Sequence, residues 1–223
     1  MNKMLRSNQI TICNFTGVYE SRSIASRAVL LDFRDMTGCS LYVSGESEQE
    51  LALAVKEHAP EGIHFLDNGN YHYMTRIFAS FIREPFELLV LDHHTDDQEP
   101  AIPGMRSCGS WVRDIREENP CLEGVTLIRS MEDYAAYRRR AATGLPVYVS
   151  VDKDVLSEEV LRTNWDQGDM KEEEFSRILS GLLEHDVIGL DICGDDEPLK
   201  DTGANEVFDA KVLSLCFHGQ WRA

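Results

Sequence analysis

Several short runs of apolar residues, without an alternating polar face, recur along the chain. A strand that is apolar at every position is typical of a parallel sheet covered on both faces, because both rows of its side chains are then buried. Between these runs lie longer segments in which apolar residues have helical spacing. The predicted strands cover residues 10–15, 29–33, 41–44, 63–66, 88–91, 125–128, 147–151 and 187–192.

The alternation of strands with helices favours right-handed β-α-β crossovers and an open parallel sheet. A length of 223 residues fits one large α/β domain better than two small ones, and 43% hydrophobic residues can form a substantial core. We therefore expect a single domain over residues 1–223, built as a three-layer α/β/α sandwich around a mostly parallel sheet of about eight strands. In such sheets the ligand binds at the carboxyl ends of the strands.

Acidic residues and histidines follow three of the predicted strands. One strand continues into residues 92–96 (D-H-H-T-D), a second into residues 152–154 (D-K-D), and a third leads to His72. Alternate side chains of an extended segment point the same way. We therefore expect the first, third and fifth residues of one motif, and both aspartates of the other, to face together. His93 points the opposite way, so we expect it to pack or to contact a ligand residue rather than bind a metal.

Carboxylates only a few ångströms apart cannot all stay ionised without compensation. Either some of them hold protons or cations neutralise them. Aspartate and histidine also serve as turn and cap residues at strand ends, but two such groups after fully apolar strands favour a metal site. Imidazole with carboxylate suits Mn²⁺, Fe²⁺ or Zn²⁺, and a carboxylate-rich set favours Mn²⁺. Two such ions, about 3.5–4 Å apart, would also generate a nucleophile from water near neutral pH.

These segments resemble motifs of the ureohydrolase family, which includes arginase, agmatinase and formimidoylglutamase. Residues 92–96 are similar to its D-A-H-x-D motif, and residues 150–154 (S-V-D-K-D) to its S-x-D-x-D motif. Residues 69–72 (G-N-Y-H) resemble its G-G-D-H motif, whose histidine is a ligand, and residues 190–193 (L-D-I-C) resemble a segment on its last core strand. The resemblance extends from about residue 63 to the end of the chain, in the family's order.

The resemblance implies a site for two Mn²⁺ ions, with Fe²⁺, Zn²⁺ or Ni²⁺ as alternatives. One ion would be held by His72, Asp92, Asp96 and Asp152, and the other by Asp92, His94, Asp152 and Asp154. The resemblance further implies an arginase-like fold and hydrolysis of a linear, non-peptide C–N bond in a guanidino or amidino compound.

Two positions differ from the family pattern. Where the family carries a proton-transferring histidine, this chain has Cys108, whose thiol is a poorer shuttle at neutral pH. Cys108 is therefore either a catalytic replacement or an ordinary buried cysteine. Where the family carries a glutamate that pairs with the guanidinium, this chain has Gly194, and Asp195 can replace the glutamate after a small shift or belong to an acidic loop. Gln98 lies near the position of an amide that contacts substrate in arginases.

Composition limits the classes of binding partner and the cellular compartment that suit this chain. A formal net charge of −17 argues against nucleic acid and anionic membranes as partners, and favours metal ions or a small-molecule substrate, cationic ones included. The sequence shows no transmembrane run and no signal peptide. The six cysteines lack C-x-x-C spacing, so a reducing cytoplasm is the simplest setting. Because many relatives form trimers or hexamers, a homo-oligomer is also expected from the resemblance.

Two alternative functions stay open at this stage. One is a metal-dependent amide deacetylase, since deacetylases have a related fold, which predicts hydrolysis of acetylated amines without urea release. The other is a metal-binding relative that has lost catalysis and acts by interaction. The replacements at Cys108 and Gly194 support the second alternative.

Overall fold

The computed structural model of the chain describes residues 5–102, 104–140, 144–200, 202–219 and 221. Its strands are β1 (Ile10–Asn14), β2 (Val29–Asp32), β3 (Tyr42–Val43), β4 (Gly62–Phe65), β5 (Phe86–Leu91), β6 (Arg106–Ser107), β7 (Leu122–Leu127), β8 (Val147–Asp152) and β9 (Val187–Cys193). Seven of these form one sheet in the order β2-β1-β4-β9-β8-β5-β7. Every neighbouring pair in that sheet is parallel.

Helices cover both faces of this sheet. They are α1 (Gly45–Val55), α2 (Met74–Ala79), α3 (Trp111–Glu118), α4 (Met131–Arg140), α5 (Glu172–Leu182) and α6 (Ala204–Cys216). Side chains of α1, α2 and α3 share one buried apolar cluster, and those of α4, α5 and α6 share the other. None of the described helices has the length and hydropathy needed to cross a bilayer.

Strand β5 is almost entirely apolar because its two rows of side chains enter different cores. In β5, Leu88 and Val90 belong to the cluster beneath α1, α2 and α3, whereas Leu89 and Leu91 belong to the cluster on the opposite face. Burial on both faces removes the need for a polar row. The three-layer α/β/α fold with a parallel sheet, predicted from this pattern, is confirmed.

One predicted strand lies outside the main sheet. Residues 41–44 contain only the two-residue strand β3, which pairs antiparallel with β6. The main sheet therefore has seven strands rather than about eight. The short β3–β6 ladder lies beside the carboxyl edge, where Leu41 and Tyr42 line a cavity described below.

The order of the strands determines which motifs meet. Strands β5 and β8 are direct neighbours, with Leu91 opposite Val151. Asp92, which follows β5, and Asp152, the last residue of β8, consequently lie side by side at the edge of the sheet. Strand β4 is separated from β8 by β9 alone, so the segment that follows β4 reaches the same edge.

Candidate metal centre

The chain turns sharply after β5 and so collects polar groups at the strand end. The backbone N–H of His94 donates to Asp92 Oδ1 at 2.6 Å, and Asp96 has a positive φ of 46°. The convergence therefore comes from a tight turn, not from the extended alternation predicted for this segment. At the end of β8, the N–H of Asp154 likewise donates to Asp152 Oδ1 at 2.9 Å.

His72 stands at the centre of one group of carboxylates. It follows a 3-10 turn at Gly69–Tyr71, and its side chain is buried. Its Nδ1 atom lies 3.3 Å from Asp92 Oδ2, 3.1 Å from Asp96 Oδ2 and 3.2 Å from Asp152 Oδ2. Its Nε2 atom lies 2.9 Å from Ser150 Oγ. If Nε2 carries the proton and donates to this hydroxyl, Nδ1 keeps its lone pair towards the carboxylates.

A second group of possible ligands adjoins the first and shares Asp92 with it. Atoms of Asp92, His94 and Asp154 lie close enough together to hold one ion. His94 Nδ1 is 2.8 Å from Asp154 Oδ2 and 3.7 Å from Asp92 Oδ1. The structure thus brings all six predicted metal ligands to one edge of the sheet, in two overlapping groups.

Buried atoms without partners indicate that the side chains fit divalent ions. His72 Nδ1 and Asp92 Oδ2 are both buried and lack a hydrogen bond of acceptable geometry. A metal ion coordinated by both atoms would supply each of them with a partner. Nitrogen and carboxylate oxygen donors in this proportion suit Mn²⁺, Fe²⁺ or Zn²⁺.

The protonation of the site reflects the crowding of its charges. Burial, and then the neighbouring carboxylates of Asp96 and Asp154, raise the pKa of Asp92 well above its usual value. Burial and Asp152 raise the pKa of Asp154 to about 6. The hydrogen bond that the His94 ring donates to Asp154 raises the pKa of His94 to about 9. Without cations these groups share protons, as expected where like charges are held together.

One neighbouring side chain, that of Trp111, orients two of the possible ligands. Trp111 is fully buried at the start of α3, and its Nε1–H donates to Asp96 Oδ2 at 2.5 Å. Its ring centroid lies 4.7 Å from that of His72. The same side chain therefore holds one ligand by a hydrogen bond and another by packing.

A cavity of about 220 Å³ opens above the six residues. That volume suits a small molecule rather than a polymer. The walls, beyond the possible ligands, are formed by Leu41, Tyr42, Gly69, Gln98, Ser107, Cys108, Gly109 and Trp165. Gln98 thus occupies the wall, where its amide can contact a bound molecule.

Cys108 lies in the cavity wall. Its backbone N–H donates to Leu41 O at 2.9 Å, which ties it to the segment before β3. Burial, and then Asp96, raise the pKa of its thiol to about 12. The thiol is consequently neutral near pH 7, and a role for it in proton transfer stays a prediction.

Asp195 lies away from the cavity wall, contrary to the expected substrate contact. It is fully buried, and it accepts hydrogen bonds from Tyr19 Oη at 2.6 Å and from Lys153 Nζ at 2.9 Å. Arg22 Nη2 lies 2.7 Å from the same carboxylate. Although burial opposes ionisation, Lys153 and Arg22 hold the pKa of Asp195 below its usual value. Its charge is neutralised inside the protein, so its position does not support contact with a substrate.

The aromatic wall of the cavity could not be predicted from the sequence. Trp165 belongs to the loop between β8 and α5, and its ring centroid lies 6.0 Å from that of His94. Tyr42 comes from β3. The only available signal was a tryptophan in an otherwise polar stretch, residues 163–168 (T-N-W-D-Q-G), which does not reveal where the loop folds.

Comparisons with known proteins agree with this architecture. No protein-family model matches the chain. A protein of Thermotoga maritima, described as uncharacterised, is 28% identical over 222 residues, which cover 93% of this chain and 89% of the relative.

Three solved structures illustrate the likeness in fold. The agmatine ureohydrolase of Thermoplasma volcanium has a TM-score of 0.60 and 16% identity, over 95% of this chain and 88% of that one. The proclavaminate amidino hydrolase of Streptomyces clavuligerus has a TM-score of 0.63 and 14% identity, over 99% and 95%. The Entamoeba histolytica arginase, in complex with L-ornithine, has a TM-score of 0.65 and 10% identity, over 94% and 97%. The fold of this chain is therefore that of the ureohydrolases, as the motifs predicted.

Proposed function

We propose that this chain is a hydrolase that uses two divalent metal ions to cleave a linear, non-peptide C–N bond in a small guanidino or amidino compound. The observation that carries the proposal is the convergence of six possible ligands beneath a cavity. At its centre His72 Nδ1 lies within 3.3 Å of three carboxylate oxygens, without a hydrogen bond of acceptable geometry among the described residues. The arginase-like fold, in which structures named as amidino hydrolases and arginases are found, supports the same proposal.

The side chains would hold two ions in adjoining subsites. His72, Asp96 and the shared Asp92 and Asp152 would form the first subsite, and His94 and Asp154 with the same two aspartates would form the second. When bound, the ions supply Lewis-acid activation of water and of the C–N group. We favour Mn²⁺ because carboxylates outnumber imidazoles, and Fe²⁺, Zn²⁺ or Ni²⁺ are the alternatives.

The remaining wall residues would bind and orient the substrate. Tyr42 and Trp165 offer aromatic faces that suit a planar cation such as guanidinium. The formal charge of −17 favours a cationic substrate through long-range attraction. A cytoplasmic location and a homo-oligomeric state stay predictions from the sequence and the resemblance.

Metal content is the first test of the proposal. Protein purified without chelator, or reconstituted with Mn²⁺, should contain about two equivalents of metal by elemental analysis. The Asp152→Ala, Asp154→Ala double variant removes one shared carboxylate and one carboxylate of the second subsite, so it should retain less than one equivalent. A wild-type chain that binds no Mn²⁺, Fe²⁺ or Zn²⁺ would show that these carboxylates are structural, and the proposal would be abandoned.

Substrate class is tested on the metal-loaded protein. A panel of guanidino, amidino and N-acetylated amines should give release of urea or amine from guanidino or amidino members only. That release should stop after treatment with chelator and return with Mn²⁺. Turnover confined to acetylated amines would instead assign the chain to the amide deacetylases.

A second function, metal binding without catalysis, is favoured by one observation. The cavity wall carries Cys108 at the position where a proton-transferring histidine is expected, and its partly buried thiol stays protonated near pH 7. This alternative requires two bound equivalents of metal and no turnover of any panel member. Cys108→His then separates the two functions, since gain of turnover would show that only the proton shuttle was missing.

A further inference from the structure

The loop between β8 and α5 contacts the proposed metal centre on two sides. The Asn164 side chain accepts from the N–H of Gly69 at 2.9 Å and donates to Asn70 Oδ1 at 3.0 Å. Trp165 Nε1–H donates to the same Asn70 oxygen at 3.1 Å. At its other end, the N–H of Gly168 donates to Asp154 O at 2.7 Å. The loop is thus tied both to the segment that carries His72 and to the segment that carries Asp154.

Close packing fixes the course of this loop. A Cβ atom added to Gly69 would lie 2.5 Å from Trp165 Cδ1, so the absence of a side chain there lets the indole pack against the backbone. These attachments restrict the residue that follows, Asp166, even though its own side chain is largely exposed. An exposed carboxylate held by its backbone can still have a defined direction.

Asp166 faces the outer nitrogen of a proposed ligand. Its Oδ1 atom lies 3.2 Å from His94 Nε2. On the inner side of the same ring, Nδ1 lies 2.8 Å from Asp154 Oδ2, in the second subsite. His93, the other imidazole nearby, is farther away, with Nε2 3.8 Å from Asp166 Oδ2. The ring of His94 is therefore placed between one carboxylate inside the site and one outside it.

We propose that Asp166 is a positioning residue for the second metal subsite, because it accepts the Nε2–H of His94 and so leaves the Nδ1 lone pair free for a metal ion. A neutral imidazole has one N–H and one lone pair, and the partner of the outer nitrogen decides which is which. Carboxylates in this position also hold the ring in place and make it a stronger donor. The inference rests on the proposed function only for the presence of metal in that subsite.

The role differs from that of an ordinary surface ion pair. An exposed pair contributes roughly 0–1 kcal/mol to folding, so loss of Asp166 should scarcely change the stability of the metal-free protein. Loss of such an orienting carboxylate typically costs about 10–100-fold in metal affinity. An unchanged free energy of unfolding together with a weaker affinity for metal would indicate a positioning role. Loss of a residue with a purely structural role would not produce this combination.

The test is a titration of chelator-stripped protein with Mn²⁺, using Asp166→Ala, Asp166→Asn and Asp169→Ala. Asp169 is an exposed acid in the same loop, so its replacement matches the change in net charge. In Asp166→Ala one of the two equivalents should bind about 10–100-fold more weakly, while the other equivalent and the control variant bind as in wild type. Asp166→Asn retains a neutral acceptor and should lie between Asp166→Ala and wild type.

Several outcomes would overturn the proposal, and they point to different causes. Affinities in Asp166→Ala equal to wild type, or a loss matched by Asp169→Ala, would remove the role of Asp166 while leaving the two-metal hydrolase intact. Loss of a third, weaker equivalent in both Asp166→Ala and His93→Ala would assign His93, His94 and Asp166 to a separate metal site. A wild-type chain that binds fewer than two equivalents would overturn this inference together with the proposed function.

Discussion

At the scale of single residues, Gly194 shows why one part of the family pattern is missing. It has a φ of +94°, and a Cβ atom there would lie 2.3 Å from Asp152 Oδ1 and 2.8 Å from the backbone nitrogen of Lys153. A glutamate at this position could not be accommodated without displacing a proposed metal ligand. The glycine therefore brings the end of β9 close against the end of β8.

We predict that Gly194→Ala destabilises the protein and weakens metal binding, because the added methyl group displaces Asp152. Gly17→Ala is the matched control: its φ is similar, at +85°, but its Cβ would meet no atom closer than 3.6 Å. Gly194→Ala should cost about 1–3 kcal/mol more than the control, the usual penalty for overpacking. Chemical denaturation and Mn²⁺ titration measure the two effects, and equal behaviour of the variants would refute the steric argument.

At the scale of secondary-structure elements, buried charges join segments that are distant in sequence. Lys153 Nζ lies 2.9 Å from Asp195 Oδ1 and 2.7 Å from Asp209 Oδ1. Arg22 lies 2.8 Å from Asp209 Oδ2 and also pairs with Asp195. All four side chains are buried, and their formal charges cancel. The cluster connects the strand ends of β8 and β9 with α6 and the segment after β1.

We expect Lys153→Met to destabilise the metal-free protein by about 3–5 kcal/mol, the cost of leaving a buried charge without its partner. Adding Asp209→Asn should restore part of this loss, because the second change removes the uncompensated negative charge. Lys211→Met, which breaks a half-exposed pair between Lys211 on α6 and Glu172 on α5, is the control and should cost about 0–1 kcal/mol. Urea unfolding gives the three values, and an effect of Lys153→Met no larger than that of the control would contradict the prediction.

At the scale of the whole molecule, folding places four carboxylates within one site. Asp92, Asp96, Asp152 and Asp154 are all buried, although like charges in a medium of low dielectric repel strongly. Shared protons or bound cations are the two ways to compensate. The metal-free protein should consequently be the less stable form.

We predict that Mn²⁺ raises, and that chelator lowers, the midpoint of thermal unfolding. Ligand at 100 times its dissociation constant stabilises the folded state by about 2.7 kcal/mol per site, which for a chain of this size corresponds to roughly 5–10 °C. The Asp152→Ala, Asp154→Ala variant should show little of this shift. Mg²⁺ at equal ionic strength controls for screening, and an equal rise with either ion in wild type and variant would indicate a non-specific salt effect.

Much of the fold could be predicted from the sequence because a buried strand can be recognised from the apolar residues of its own segment. Fully apolar runs indicate strands covered on both faces, and seven of the eight predicted strands lie in the main sheet. The segment at 41–44 was assigned to that sheet incorrectly, because two apolar residues in a short ladder have the same local pattern as a sheet strand. The motifs similarly identified the residues that meet at the carboxyl edge, since chemistry at a strand end depends on residue type and spacing.

Some features depend on contacts between segments that are distant in sequence, and these features could be seen only in the tertiary structure. Nothing local to Asp195 reveals that Lys153 and Arg22 neutralise it inside the protein, because those cations come from other strands and loops. The placement of Trp165 and Asp166 beside His94 likewise depends on how the loop after β8 folds back. The sequence by itself thus determined the fold class and the set of possible ligands. The packing of the chain determined which other groups face them, because side-chain direction and burial arise only once the elements are assembled.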